Sequence, residues 1–274
     1  MGLLADMYSS SLRRAAEARE RTPEHELRAA IAASAAPPAL AAGPRGFDVI
    51  AEFKLRSPSI GDLSAATADP VARLQAYAQG GAALISVLTE PSRFGGEPGH
   101  LGLAAETLRR FGVPVMRKDF LVDPYQVLEA RAFGASGVLL IVRMLPRDRL
   151  VALLDCAERQ GMFVLLEAFD AADLDIASDL ARERRGRRET ILMGLNCRDL
   201  ETLRIDLARF ERLRERMPDD WPAVAESGVQ TAADAARLAR LGYRFALVGT
   251  SLMQRADPQA AVAELVAAGR AAVA

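Results

Sequence analysis

The chain has 274 residues, half of them hydrophobic, with 35 basic and 36 acidic side chains and a net charge of -1. That size holds one large core or two small ones. The even charge gives no broad electrostatic case for nucleic acid or an anionic membrane surface. No apolar run approaches a membrane span, and the first twenty residues lack a signal-peptide pattern. Asp6 stands where a myristoylation signal needs Ser or Thr. These features lead us to expect a cytoplasmic protein. Its two cysteines, Cys156 and Cys197, form no metal or redox motif, and neither His25 nor His100 sits in a recognisable catalytic motif. Zinc and Ser-His-Asp chemistry are disfavoured on that basis. No metal or cofactor is expected, and acid–base work falls to lysines and carboxylates.

The chain opens with a helical segment in which Thr22-Pro23-Glu24 reads as a helix start. An Ala/Pro-rich stretch, AASAAPPALAAGPRG, follows. Short apolar runs then alternate with amphipathic stretches. Strands are expected near 48–54, 82–88, 114–118, 136–142, 163–167, 191–195, 222–226 and 244–248. Most are continuously apolar, as parallel strands covered on both faces require. Asp69-Pro70, Asp123-Pro124 and Asp257-Pro258 each place a capping aspartate before a proline at the first helical position. Gly81, Gly112, Gly134, Gly161 and Gly242 follow helical stretches, where a terminating glycine belongs. Eight βα units in about 225 residues match a (β/α)8 TIM barrel of the α/β class. The competing doubly wound sheet lacks its G-x-G-x-x-G fingerprint after an early strand. The expected organisation is one barrel domain over 1–274, with 1–45 as an N-terminal helical extension packed on it.

Within the first strand, Glu52 and Lys54 are two residues apart and therefore share a face. They form either a buried ion pair or the start of a polar site, since burying one charge alone is costly. Read in order, the other strand ends give Thr89-Glu90, Lys118-Asp119, Arg143, Glu167, Asn196, Glu226-Ser227 and Gly249-Thr250. A barrel gathers its catalytic groups at these ends, so all are expected to converge on one mouth. Ser227-Gly228 and Gly249-Thr250 follow strands seven and eight, the usual phosphate site of such barrels, where glycines let backbone N–H groups approach an anion.

The segments IAEFKLRSPSIGDLS, ISVLTEPSRFGGE, PVMRKDFLVDPYQVLEARAFGASGVLLI, LLEAFD, GLNCRDLETLRIDL and AESGVQTAADAARLARLGYRFALVGTSLM resemble indole-3-glycerol phosphate synthases. The match runs from about residue 48 to 254 through all eight expected strands, and the N-terminal helical extension is also similar. The resemblance implies ring closure of 1-(2-carboxyphenylamino)-1-deoxyribulose 5-phosphate, with loss of carbon dioxide and water, in tryptophan biosynthesis. It implies Lys118 as the general acid at the ketone oxygen and Lys54 as the partner of the substrate carboxylate and a donor in the later dehydration. Glu167 would move a proton as water leaves, while Glu52 and Asn196 position lysines and substrate. Glu226 would join the polar network, and Phe94 would line the anthranilate pocket. Ser57, Ser227, Gly228, Gly249 and Thr250 would contact substrate and phosphate. Arg198 is expected to pair with an acid rather than to bind substrate, and Cys197 to pack. The chain departs from the family at Phe169, where histidine is common, and at Leu55, Ile60, Ala168 and Thr250. Phosphoribosylanthranilate isomerase, another sugar-phosphate barrel, uses a cysteine near the end of its first strand, and this chain has none there. A non-catalytic phosphate-binding barrel would have no need of the unpaired charges at the mouth.

Overall fold

Eight parallel strands close on themselves with helices outside, a TIM barrel. The computed structural model describes residues 2–41, 46–58, 61–63, 69–187 and 190–274; Ile60 lies outside them. The strands are β1 (Asp48–Phe53), β2 (Leu84–Leu88), β3 (Val115–Lys118), β4 (Gly137–Ile141), β5 (Phe163–Ala168), β6 (Ile191–Asn196), β7 (Ala223–Glu226) and β8 (Phe245–Val248). Each pairs with its chain neighbour, and β8 returns to β1. All eight expected strands are present, trimmed or extended by a residue or two at their ends.

Two apolar clusters follow from the period of two. Ile50, Leu84, Met116, Leu139, Leu165, Leu192, Val224 and Leu247 point into the barrel. Val49, Ile85, Val115, Val138, Val164, Met193 and Ala246 point outward and pack beneath the helices. Both strand faces are therefore dry, which is why the strands read as unbroken apolar runs.

Helices α1 (Leu3–Arg21) and α2 (Glu24–Ala33) precede the barrel. Thr22 is extended because the residue before a proline avoids the helical region, so Pro23 splits the N-terminal segment in two. Around the barrel lie α3 (Pro70–Gln79), α4 (Pro91–Phe94), α5 (Pro98–Arg109), α6 (Pro124–Ala132), α7 (Arg147–Arg159), α8 (Ala171–Glu183), α9 (Ala208–Arg214), α10 (Ala232–Arg240), α11 (Thr250–Met253) and α12 (Pro258–Ala271). Asp69, Asp123 and Asp257 cap α3, α6 and α12 through their side chains. The five expected terminating glycines all take positive φ. No described helix is long and apolar enough to cross a membrane.

Candidate active site

A cavity of about 550 Å3 opens at the C-terminal mouth of the barrel. Its polar floor continues the inward register of the strands: Ile50 is followed by Glu52 and Lys54, Met116 by Lys118, Leu165 by Glu167, Leu192 by Gly194 and Asn196, and Val224 by Glu226. All twelve site residues expected from the sequence line this one cavity.

Lys54 Nζ donates to Glu52 Oε1 at 2.6 Å, and both side chains are buried. Lys118 Nζ lies 3.3 Å from Glu226 Oε2 and 3.8 Å from Glu167 Oε1. Asn196 Nδ2 donates to Glu167 Oε1 at 2.6 Å, while its Oδ1 accepts from the Arg198 backbone. Asn196 therefore fixes Glu167, and Glu167 faces Lys118. Glu52 holds Lys54, while Lys118 is held by Glu226 and Glu167.

Three carboxylates here surround two ammonium groups, and burial and neighbouring charge shift Glu52, Lys118 and Glu226 in different directions. Burial pushes Glu52 toward its neutral form, but Lys54, Lys118 and Arg198 outweigh it and hold its pKa below the ordinary value. Burial would lower Lys118, yet Glu167, Glu226 and Glu52 reverse this and keep it an ammonium. Glu226 goes the other way: burial, then the charge of Glu167, push it up to about 8 against the pull of Lys118. Glu226 Oε1 is buried without a hydrogen-bond partner among the described residues, and only a glycine at 194 leaves it room, since a Cβ there would stand 2.3 Å away.

Ser57, Ser227, Gly228, Gly249 and Thr250 also line the cavity. Gly249 is sterically required: a Cβ would lie 2.1 Å from Glu52 Oε1 and 2.9 Å from Lys54 Nζ. The apolar wall is made by Phe94 and Phe120, whose rings are 6.4 Å apart, with Phe169, Leu139 and Ile141.

Not every polar strand end converges. Thr89 has outward parity, and its hydroxyl donates to the carboxylate of Asp119, which lines the cavity but turns its side chain behind the strands. Glu90 leaves the strand line to cap α4, accepting from the N–H groups of Ser92, Arg93 and Phe94. Arg143 follows β4 into a 3-10 turn and pairs with Asp170 and Asp173. Arg198 also differs from expectation. It lines the cavity and donates to the Leu203 carbonyl at 3.1 Å, with no acid partner among the described residues. Carrying the i, i+2 rule past the strand ends brings in Phe120, Phe169 and Arg198, which follow Lys118, Glu167 and Asn196 by two. Leu3 of α1 also reaches the cavity, and no local signal marked it. Cys197 packs beneath the mouth, where burial raises its thiol to about 11.

The family model described as Indole-3-glycerol phosphate synthase matches residues 4–265. A relative of that name from Streptomyces griseus subsp. griseus is 43% identical over 254 residues, covering 92% of this chain and 90% of its own. Another from Leifsonia xyli subsp. xyli is 44% identical over 268 residues, covering 96% and 97%. Among solved structures, 3-hexulose-6-phosphate synthase from Salmonella typhimurium superposes with a TM-score of 0.62 at 12% identity, covering 81% of this chain and 98% of that one. At that identity the likeness is one of fold.

Proposed function

The chain belongs to the indole-3-glycerol phosphate synthase family, and from that premise we propose how its cavity performs the reaction. The enzyme is a carboxy-lyase of tryptophan biosynthesis. It converts 1-(2-carboxyphenylamino)-1-deoxyribulose 5-phosphate to indole-3-glycerol phosphate, carbon dioxide and water. We take it to act in the cytoplasm as one barrel domain carrying an N-terminal helical extension over residues 1–45.

The substrate's phosphate sits at the rim of Ser57, Ser227, Gly228, Gly249 and Thr250, by the general placement of phosphate in these barrels. Its aromatic ring lies against Phe94, Phe120 and Phe169. Lys54 meets the ring carboxylate, and Arg198 adds positive charge. The ring carbon bearing the carboxylate attacks the ketone carbon, and Lys118 gives a proton to the oxygen as the C–C bond forms. The C–CO2 bond then breaks, and its electron pair restores the aromatic ring. An apolar wall favours this step because a charged group leaves as a neutral one. Finally the new hydroxyl departs as water with a proton from Lys54, and Glu167 removes the proton from the adjacent carbon to complete the indole.

The observation that carries this assignment is the placement of Lys118 within 4 Å of two buried carboxylates at the cavity floor. Incubating the purified chain with the substrate and following indole fluorescence tests it. Wild-type protein should turn over, and Lys118→Ala should lose about 100-fold or more. Near-normal turnover in that variant would sink the role given to Lys118, and no signal from wild-type protein at high concentration would sink the activity.

A further inference from the structure

The stretch from Asp119 to Gln126 makes more polar contacts than ring closure needs, and helix α1 supplies them. Arg14 Nη1 and Nη2 donate to Asp119 Oδ2 and Oδ1 at 2.9 and 2.8 Å. Gln126 Nε2 donates to Ser11 Oγ at 2.9 Å. Tyr125 Oη lies 2.9 Å from the Ala18 carbonyl and 2.8 Å from that of Thr22. Arg19 pairs with Asp123 at 2.6 Å. An element outside the barrel thus grips the loop that begins at the proposed acid.

We propose that Arg14 is a positioning residue for the reaction: by clamping Asp119, it sets where the Lys118 ammonium and the Phe120 ring stand in the cavity. The proposal rests on the role given to Lys118 above. Alternation makes it mechanical. Lys118, Asp119 and Phe120 all line the cavity, but the Asp119 carboxylate is turned away to Arg14, Thr89 and Arg117. Any rotation of the Asp119 backbone therefore swings both neighbours. A bidentate guanidinium fixes the plane of a carboxylate as well as its place, which a single ammonium does not. Asp119 also accepts from Thr89 Oγ1 (2.7 Å), Arg117 Nη2 (3.2 Å) and the Phe120 N–H (2.8 Å). Those contacts remain when Arg14 is removed, so the carboxylate stays paired and the barrel persists. What goes is the anchor that fixes its orientation from the far side.

The test uses the full chain, with Arg14→Ala, Arg14→Lys and Lys118→Ala assayed by indole fluorescence beside melting curves. Arg14→Ala should lower kcat roughly 10- to 100-fold, the scale of a small misplacement of a catalytic group. KM should stay within about threefold, because the loss falls on the transition state. Arg14→Lys should recover only part of the rate. Wild-type kcat in Arg14→Ala with a lowered melting temperature would leave α1 a purely structural brace and overturn the proposal, as would full activity in Arg14→Lys. If Arg14→Ala does not fold, Arg14→Lys is read by the same criteria. Near-normal turnover in Lys118→Ala would overturn the underlying site assignment. An inactive Lys118→Ala beside a fully active Arg14→Ala would overturn the clamp alone.

Discussion

Lys54 is the residue at which structural and functional roles part most clearly. It sits 2.6 Å from Glu52, and either a folding ion pair or a substrate contact would look like this in isolation. Its place on the wall of the cavity favours the second. Lys54→Ala should raise KM about 10-fold or slow a late step, as loss of a charged hydrogen bond does, with a smaller effect on folding. Large unfolding with unaltered KM would return the pair to a structural role. Gly249 gives a steric counterpart. Gly249→Ala forces a methyl against Glu52 and Lys54, so it should cost about 1–3 kcal/mol in urea unfolding and depress turnover as well. A variant as stable and active as wild type would show that the pair has room to move.

At the scale of elements, period and caps did most of the work. Continuous apolar runs marked most of the eight strands, and Asp-Pro pairs marked three helix starts, because each signal comes from a contact within a few residues. Asp257 shows the separation of stability from chemistry. Its side chain accepts from the Ala260 N–H at 2.9 Å, and it lies outside the residues lining the cavity. Asp257→Ala should lose about 0.5–2 kcal/mol while kcat and KM hold. A changed KM would show that α12 reaches the site. The elements not foreseen are short: α4, four residues capped by Glu90, and a two-stranded ladder pairing Arg56–Ser57 with Gly61–Asp62. Neither has a period long enough to read.

For the whole molecule, the buried carboxylates shape stability against pH from opposite sides. Burial pushes the Asp119 carboxyl up, but Arg14 and Arg117 hold it below its ordinary value of 3.8. The folded chain then binds fewer protons there than the unfolded chain. This stability is present above pH 4 and drains away as pH falls below it. Glu226 is raised from 4.5 to about 8, so the folded chain holds the extra proton. Its contribution is complete at low pH and is lost as pH climbs from 4.5 to 8. Glu226→Gln should therefore flatten the alkaline side of the stability curve measured by urea unfolding. A variant whose loss between pH 5 and 8 equals that of wild type would refute the assignment.

Sequence by itself determined the barrel and its polar mouth, because strand period, capping and inward parity are set between near neighbours along the chain. It pointed equally to residues that do not share the mouth. Thr89, Glu90 and Arg143 end strands as Lys118 does, yet parity or a local turn carries their side chains elsewhere. Only the tertiary structure decided which carboxylate answers which lysine, since closure of the barrel brings Glu167 and Glu226 to Lys118 across separate strands. It alone also placed Arg14 on Asp119, a contact 105 positions apart along the chain. No local pattern encodes such a contact, because its geometry exists only once the helix has docked.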